Sequence, residues 1–177
     1  MTSISNIVIA IAFLFLANSE GSLTPKNLSQ SDIDYIENQG FRYLTPLEEI
    51  KGAQPRWSYF LSKNKISMTD ALGMCGVLFE GRLLTIYTKD EDEYIRILLQ
   101  IEGIGPANEY VATSGRWNSV VRRWEWGTTL TELIYSNFRP STPVGTQGQC
   151  VAVVGELSSY VWSAVNCLAE MYYICQF

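Results

Sequence analysis

Cys150-Val151-Ala152-Val153-Val154, followed by Trp162, Cys167 and Tyr173-Ile174-Cys175-Gln176, is the stretch that decides how this chain is read. Val151 to Val154, Tyr160 to Ser163 and Tyr172 to Gln176 are short runs of β-branched and aromatic residues, the composition of buried strands. Trp124 to Trp126 reads the same way further upstream. Before these strands the pattern changes to helical. Ser67 can cap a helix with Asp70 three residues on, and Met68, Ala71, Leu72, Cys75, Leu78 and Phe79 recur at spacings of three and four, which turns Cys75 inward. Gly73 and Gly76 weaken that helix by about 1 kcal/mol each. A second helix is marked by Thr88 and Glu91, with Asp90, Glu91, Asp92 and Glu93 favourable beside its N-terminus. Tyr94, Leu98 and Ile101 form its expected inner stripe, and Gly103 and Gly105 its stop. Trp57, Tyr59 and Leu61 alternate with smaller or polar neighbours, as a half-buried strand would. Two helices early and strands late is an α+β arrangement.

Cys150, Cys167 and Cys175, with Cys75 on the first helix, are the only four cysteines. The compartment decides what they do. The chain opens with an apolar run, Ile7 to Ala17, followed by Asn18-Ser19-Glu20, which reads as a signal peptide over residues 1–19. A bilayer core needs about 20 apolar residues in a helix, so no stable membrane span is expected from a run this short. In an oxidising compartment an even number of cysteines implies two disulfides, with three connectivities open. Residues 20–55 are polar and broken by Pro25, Gly40, Pro46, Gly52 and Pro55, and read as a leader segment outside the core. Within it Ile33 and Ile36, and Leu44, Leu47 and Ile50, could each line one face of a short helix. The sequon Asn27-Leu28-Ser29 in that leader offers an N-glycosylation site at Asn27.

Composition removes whole classes of chemistry. Apolar residues make up 47% and charged residues 18% of the 177, enough for one well-packed domain. The formal net charge of -5 argues against a nucleic acid partner, which needs a cationic field. There is no histidine, which removes Ser-His and Cys-His nucleophile pairs and most zinc sites. No pair of carboxylates sits in a recognisable catalytic setting, so the chain is not read as an enzyme, and no cofactor is expected.

From Arg56 to Phe177 the chain resembles the C-type lectin-like domain in its four-cysteine form. The resemblance runs through Ala71-Leu72-Gly73-Met74-Cys75, Gly81-Arg82-Leu83-Leu84-Thr85-Ile86, Tyr110-Val111-Ala112-Thr113-Ser114-Gly115 and Trp124-Glu125-Trp126-Gly127. The third stretch looks like the family's W-I-G-L strand, with Val111 and Ala112 where an aromatic is usual. Most specific is the end, where Cys167 follows Trp162 by five residues and Cys175 follows Cys167 by eight. The resemblance implies two helices packed on small antiparallel sheets with a long irregular loop region, a domain over residues 56–177, and the pairs Cys75 with Cys175 and Cys150 with Cys167.

The family's calcium ligands are missing from the positions the resemblance assigns them. Sugar-binding members take ligands from an E-P-N or Q-P-D triplet, a Glu shortly before the third cysteine, and the N-D of W-N-D. This chain has Thr142-Pro143-Val144, then Gly148, then Trp162-Ser163-Ala164. Calcium takes about six to eight hard oxygens, several of them carboxylate, and these side chains supply at best a hydroxyl. The expectation is no metal. What remains for a ligand is Arg116-Trp117-Asn118 with Arg122 and Arg123, a ring and cations suited to a glycan or an extracellular protein. Trp124 and Trp126, sharing one face of a strand, are expected in the core. The resemblance implies a secreted recognition protein that binds carbohydrate without the usual calcium, or alternatively a protein ligand.

Overall fold

A computed structural model of the chain describes residues 27–44, 57–78, 80–104, 109–156 and 159–177. The expected signal peptide, the Leu47 and Ile50 helix face, Phe79 and Gly105 lie outside them.

Ile36, Phe41 and Leu44 are buried in the core, which corrects, for residues 29–44, the reading of 20–55 as a leader outside it. Helix α1 (Gln30–Asn38) is closed by a capping box: Ser29 Oγ accepts from the Asp32 amide at 3.3 Å, and the Asp32 carboxylate accepts from the Ser29 amide at 2.9 Å. It turns Ile36 fully inward, where Phe41 from strand β1 (Phe41–Leu44) joins the same apolar cluster. Leu44, expected on a helix face, ends this strand instead. β1 pairs antiparallel with β2 (Tyr59–Ser62), Phe41 opposite Ser62 and Leu44 opposite Tyr59. β2 is buried on both faces, not one, because Phe60 packs on the Phe41 cluster while Tyr59 and Leu61 face the second one.

Helix α2 (Met68–Val77) starts at Ser67, whose hydroxyl accepts from the Asp70 amide, and buries Met68, Ala71 and Cys75. Strand β3 (Arg82–Leu83) leads to α3 (Lys89–Ile101), capped reciprocally by Thr88 and Glu91. The inner stripe of α3 is Tyr94, Ile95, Leu98 and Leu99, whereas Ile101 is 61% exposed. At 3.6 residues per turn, Ile101 stands roughly 90° from the centre of that stripe. Gly103, at φ +69°, ends the helix as expected.

The remaining strands are β4 (Tyr110–Asn118), β5 (Arg123–Trp126), β6 (Thr131–Glu132), β7 (Gln149–Glu156), β8 (Ser159–Asn166) and β9 (Tyr172–Gln176). β9 is the hub. β2 runs antiparallel along one edge, with β3 and then β4 along the other, the β4 pairing being parallel. β9 thereby joins the β1–β2 pair to β4, which also carries β5 and β7. The architecture is α+β, with three helices and one mixed sheet among the described residues.

Both disulfides have the pairing implied by the resemblance. Cys75 on α2 is bonded to Cys175 on β9, and Cys150 on β7 to Cys167 just after β8. The first closes a loop of 100 residues and the second one of 17. No helix among the described residues is long and apolar enough to cross a membrane.

Candidate functional site

Arg116, Trp117, Asn118 and Arg123 are brought together by the β4–β5 hairpin, whose register sets Arg116 opposite Glu125, Trp117 opposite Trp124 and Asn118 opposite Arg123. Successive strand residues point to opposite faces, so the hairpin divides into a polar face and an aromatic one. On the polar face Glu125 is buried beneath two donors. Arg116 donates to Glu125 Oε1 from Nε at 3.0 Å and from a terminal nitrogen at 2.9 Å, and Asn118 donates to Oε2 at 2.9 Å. Burial pushes the Glu125 carboxyl up, but the hydrogen bonds from Asn118 and Arg116 and the charges of Arg116 and Arg123 outweigh it and hold the group below its ordinary value of 4.5. Asn118 also accepts from the amides of Val120 at 3.0 Å and Val121 at 3.3 Å, fixing the turn.

A depressed folded value means that Glu125 stabilises the fold above about pH 4.5 and that this contribution is lost as pH falls through the folded value. Glu125→Gln should therefore cost about 2 kcal/mol at neutral pH. In urea titrations repeated across pH, the gap between the two proteins should close below pH 4.5.

Trp117 is not a free stacking platform. It meets Trp124 edge to face with centroids 5.5 Å apart, and Gly145 lies against its ring so closely that a Cβ there would come within 2.4 Å. Trp124 and Trp126 are in the core, as expected, and the Trp124 indole donates to the Pro143 carbonyl at 2.8 Å. The loop over Trp117 is thus held from beneath. The cations are more accessible: Arg116 and Arg123 have side chains 43% exposed, and Arg123 makes a 3.5 Å pair with Glu132. Arg122 occupies the turn at φ +54°. Around this tip, Val120 is 90% exposed and Val121 52% exposed.

Sequence reasoning treated Asp92 only as a charge favourable to the start of α3. It is a buried anchor for the long loop. Trp162 donates its indole N–H to Oδ1 at 2.7 Å, while Asn137 at 2.9 Å and Tyr135 at 3.1 Å donate to Oδ2. Asn137 also donates to the Tyr160 carbonyl, and its own carbonyl accepts from the Trp162 amide. Burial raises the Asp92 carboxyl above 3.8, with the three hydrogen bonds and Arg96 offsetting part of that. The available signal was position: Asp92 precedes Ile95 by three residues and Leu99 by seven, which places a carboxylate at the edge of the apolar stripe beside Leu99.

At the positions the resemblance assigns to calcium ligands, the Thr142 hydroxyl is bonded to that of Ser136 at 2.7 Å, and Val144 is 80% exposed. Ser163 and Ala164 lie in β8 opposite Ala152 and Val151. Among the described residues no three His, Cys, Asp or Glu side chains gather in a way that could hold a metal ion.

Comparison with known proteins agrees with this architecture. Mouse lithostathine-2 is 19% identical over 171 residues, covering 97% of this chain and 95% of the relative. The crystal structure of human lithostathine superposes with a TM-score of 0.61 at 19% identity, covering 86% of this chain and 96% of that one. A complex of SPL-1 with GlcNAc gives 0.56 at 18% identity, covering 72% and 96%. Residues 64–177 match the sequence model of the lectin C-type domain. With that match over most of the chain, the two disulfides in the implied pairing and strands gathered around β9, the protein belongs to the C-type lectin domain family.

Proposed function

We propose that this is a secreted recognition module that binds carbohydrate without calcium, through the cationic tip of the β4–β5 hairpin. The observation that carries the reading is the placement of Arg116, Arg122 and Arg123 on one exposed hairpin in a chain of net charge -5, with Arg116 held rigid by Glu125. A guanidinium already oriented by a carboxylate loses little freedom on meeting a ligand oxygen. Support for carbohydrate comes from the related fold of SPL-1, whose structure is a complex with GlcNAc. Support for independence from calcium comes from the side chains at Thr142, Val144, Gly148, Ser163 and Ala164, none of which is a carboxylate. Secretion rests on the apolar run before Glu20 and on the two disulfides, and exposed Asn27 is proposed to carry an N-glycan.

A glycan array probed with and without EDTA tests the reading. Binding should be equal in both, and Arg122→Asn with Arg123→Gln should reduce it at least about ten-fold, the loss expected for two charge-assisted contacts. Signal that EDTA abolishes would contradict it. A protein ligand is the second reading, favoured by Val120 and Val121 exposed beside two arginines, since apolar contact with arginine anchors is typical of protein interfaces. An array with no signal, followed by capture of a protein that the same double variant fails to bind, would establish it.

A further inference from the structure

A second polar cleft lies away from the hairpin, between the β1–β2 strands, the end of α3 and the start of β9. It has a volume of about 210 Å³ and is lined by Arg42, Leu61, Ser62, Lys63, Glu102, Ile104 and Tyr172. Its chemistry is mixed in a specific way. Arg42 donates to one oxygen of Glu102 at 2.5 Å, so these two charges neutralise each other while Arg42 keeps further N–H donors and Glu102 a second carboxylate oxygen. Lys63 is exposed, and among the described residues its ammonium makes one 3.5 Å contact, with the Glu37 carbonyl, which leaves N–H donors for a ligand. Ile104 and Tyr172, both partly buried, supply an apolar wall, with the Lys65 ammonium over one face of the Tyr172 ring at 4.6 Å from its centroid and the other face left for a ligand. The lining therefore carries one net positive charge, a fixed donor and acceptor pair, and an aromatic ring, in a space below the roughly 300 to 1,000 Å³ of drug-sized pockets.

We propose that this cleft binds a single saccharide ring bearing one carboxylate, a uronic acid unit. The carboxylate meets Lys63, vicinal hydroxyls bridge Arg42 and Glu102, and the ring's apolar face lies along Tyr172 and Ile104. A neutral ring would forgo the charge-assisted contact with Lys63, and a simple carboxylate such as acetate would leave the Arg42–Glu102 pair and the apolar wall unused. This site does not depend on the hairpin reading, since it shares no residue with it. It also draws Arg42 from the segment that the sequence placed outside the domain.

The test is a chemical-shift titration of the isotope-labelled protein with glucuronate, with glucose and acetate at matched ionic strength as the other arms. A ligand of this size should bind with a dissociation constant on the order of 1 mM. Shifts should gather at Arg42, Leu61 to Lys63, Glu102 to Ile104 and Tyr172, and glucose and acetate should each be at least about ten-fold weaker, the expected loss when one charged or several polar contacts go missing. Lys63→Gln should weaken glucuronate by a similar factor, whereas Arg116→Gln should not change it. The proposal is overturned if glucuronate produces no saturable shifts up to about 20 mM, well past the expected constant. It is equally overturned if glucose matches glucuronate or if Lys63→Gln binds normally. The wild-type comparison of the three ligands stands even if a variant folds poorly, and none of these failures bears on the array experiment with Arg122 and Arg123.

Discussion

Replacing Cys75 and Cys175 together by alanine should lower the stability of the folded protein by about 4 to 5 kcal/mol, the loop-entropy expectation for a bridge that closes a loop of 100 residues. The bridge joins α2 to β9, the strand on which β2, β3 and β4 all depend, so the unfolded chain it constrains includes β3 to β8, with β1 and β2 lying outside the loop. Removing Cys150 and Cys167 should cost about 3 kcal/mol, because the loop is only 17 residues long and β7 and β8 already hold the two ends together by eight paired positions. Denaturant titrations of both double variants check the order. A larger loss from the shorter loop would mean that strain or residual structure, not chain entropy, dominates. Domains of this size are stable by roughly 5 to 15 kcal/mol, so the Cys75–Cys175 variant should be close to unfolding at 37 °C.

The second large effect is expected at Asp92. Its carboxylate accepts from Trp162, Asn137 and Tyr135, so Asp92→Ala leaves the buried indole N–H and two further donors without their acceptor. Losing the partner of several buried polar groups should cost about 3 to 4 kcal/mol. Asp92→Asn should cost less, since one oxygen remains to accept from Trp162. The pH dependence separates charge from packing. Burial raises the folded value of Asp92 above 3.8, so the folded state holds this proton more tightly than the unfolded chain, and the burden of burying the charge is relieved as pH falls through the folded value towards 3.8. The stability of the wild type relative to Asp92→Asn should therefore rise on acidification over that window. Calorimetry at a series of pH values reads it directly, and a difference that falls instead would assign Asp92 a carboxyl stabilised in its charged form.

These two sites also mark where the sequence was and was not readable. Ser67 with Asp70 and Thr88 with Glu91 announce both main helices through local hydrogen bonds, and the spacing of Met68, Ala71 and Cys75 directs the cysteine inward. Such signals lie within one turn and need no tertiary knowledge. The α1–β1 segment was misplaced because helix and strand together supply few buried residues, Ile36, Phe41 and Leu44, too few to establish a period. Its place in the core is set by β2, whose partner positions lie about 15 to 21 residues away in sequence. Trp117 stands in the sequence as a ring for a ligand because nothing local covers it, and the covering residue, Gly145, is brought in by the Trp124 contact to Pro143. The cleft at Arg42 and Tyr172 was invisible for the same reason, since its walls come from four separated segments.

The central claim is that this lectin fold performs recognition without the ion. Its most direct test is the melting temperature of the protein in millimolar calcium and in EDTA. A ligand stabilises a fold by an amount that grows once its concentration passes its dissociation constant, so a calcium site of useful affinity cannot hide from this measurement. The account predicts the same melting temperature in both, because Thr142, Val144, Gly148, Ser163 and Ala164 offer no negative charge to offset the dehydration of a divalent cation. A calcium-dependent rise of several degrees, reversed by EDTA, would contradict it.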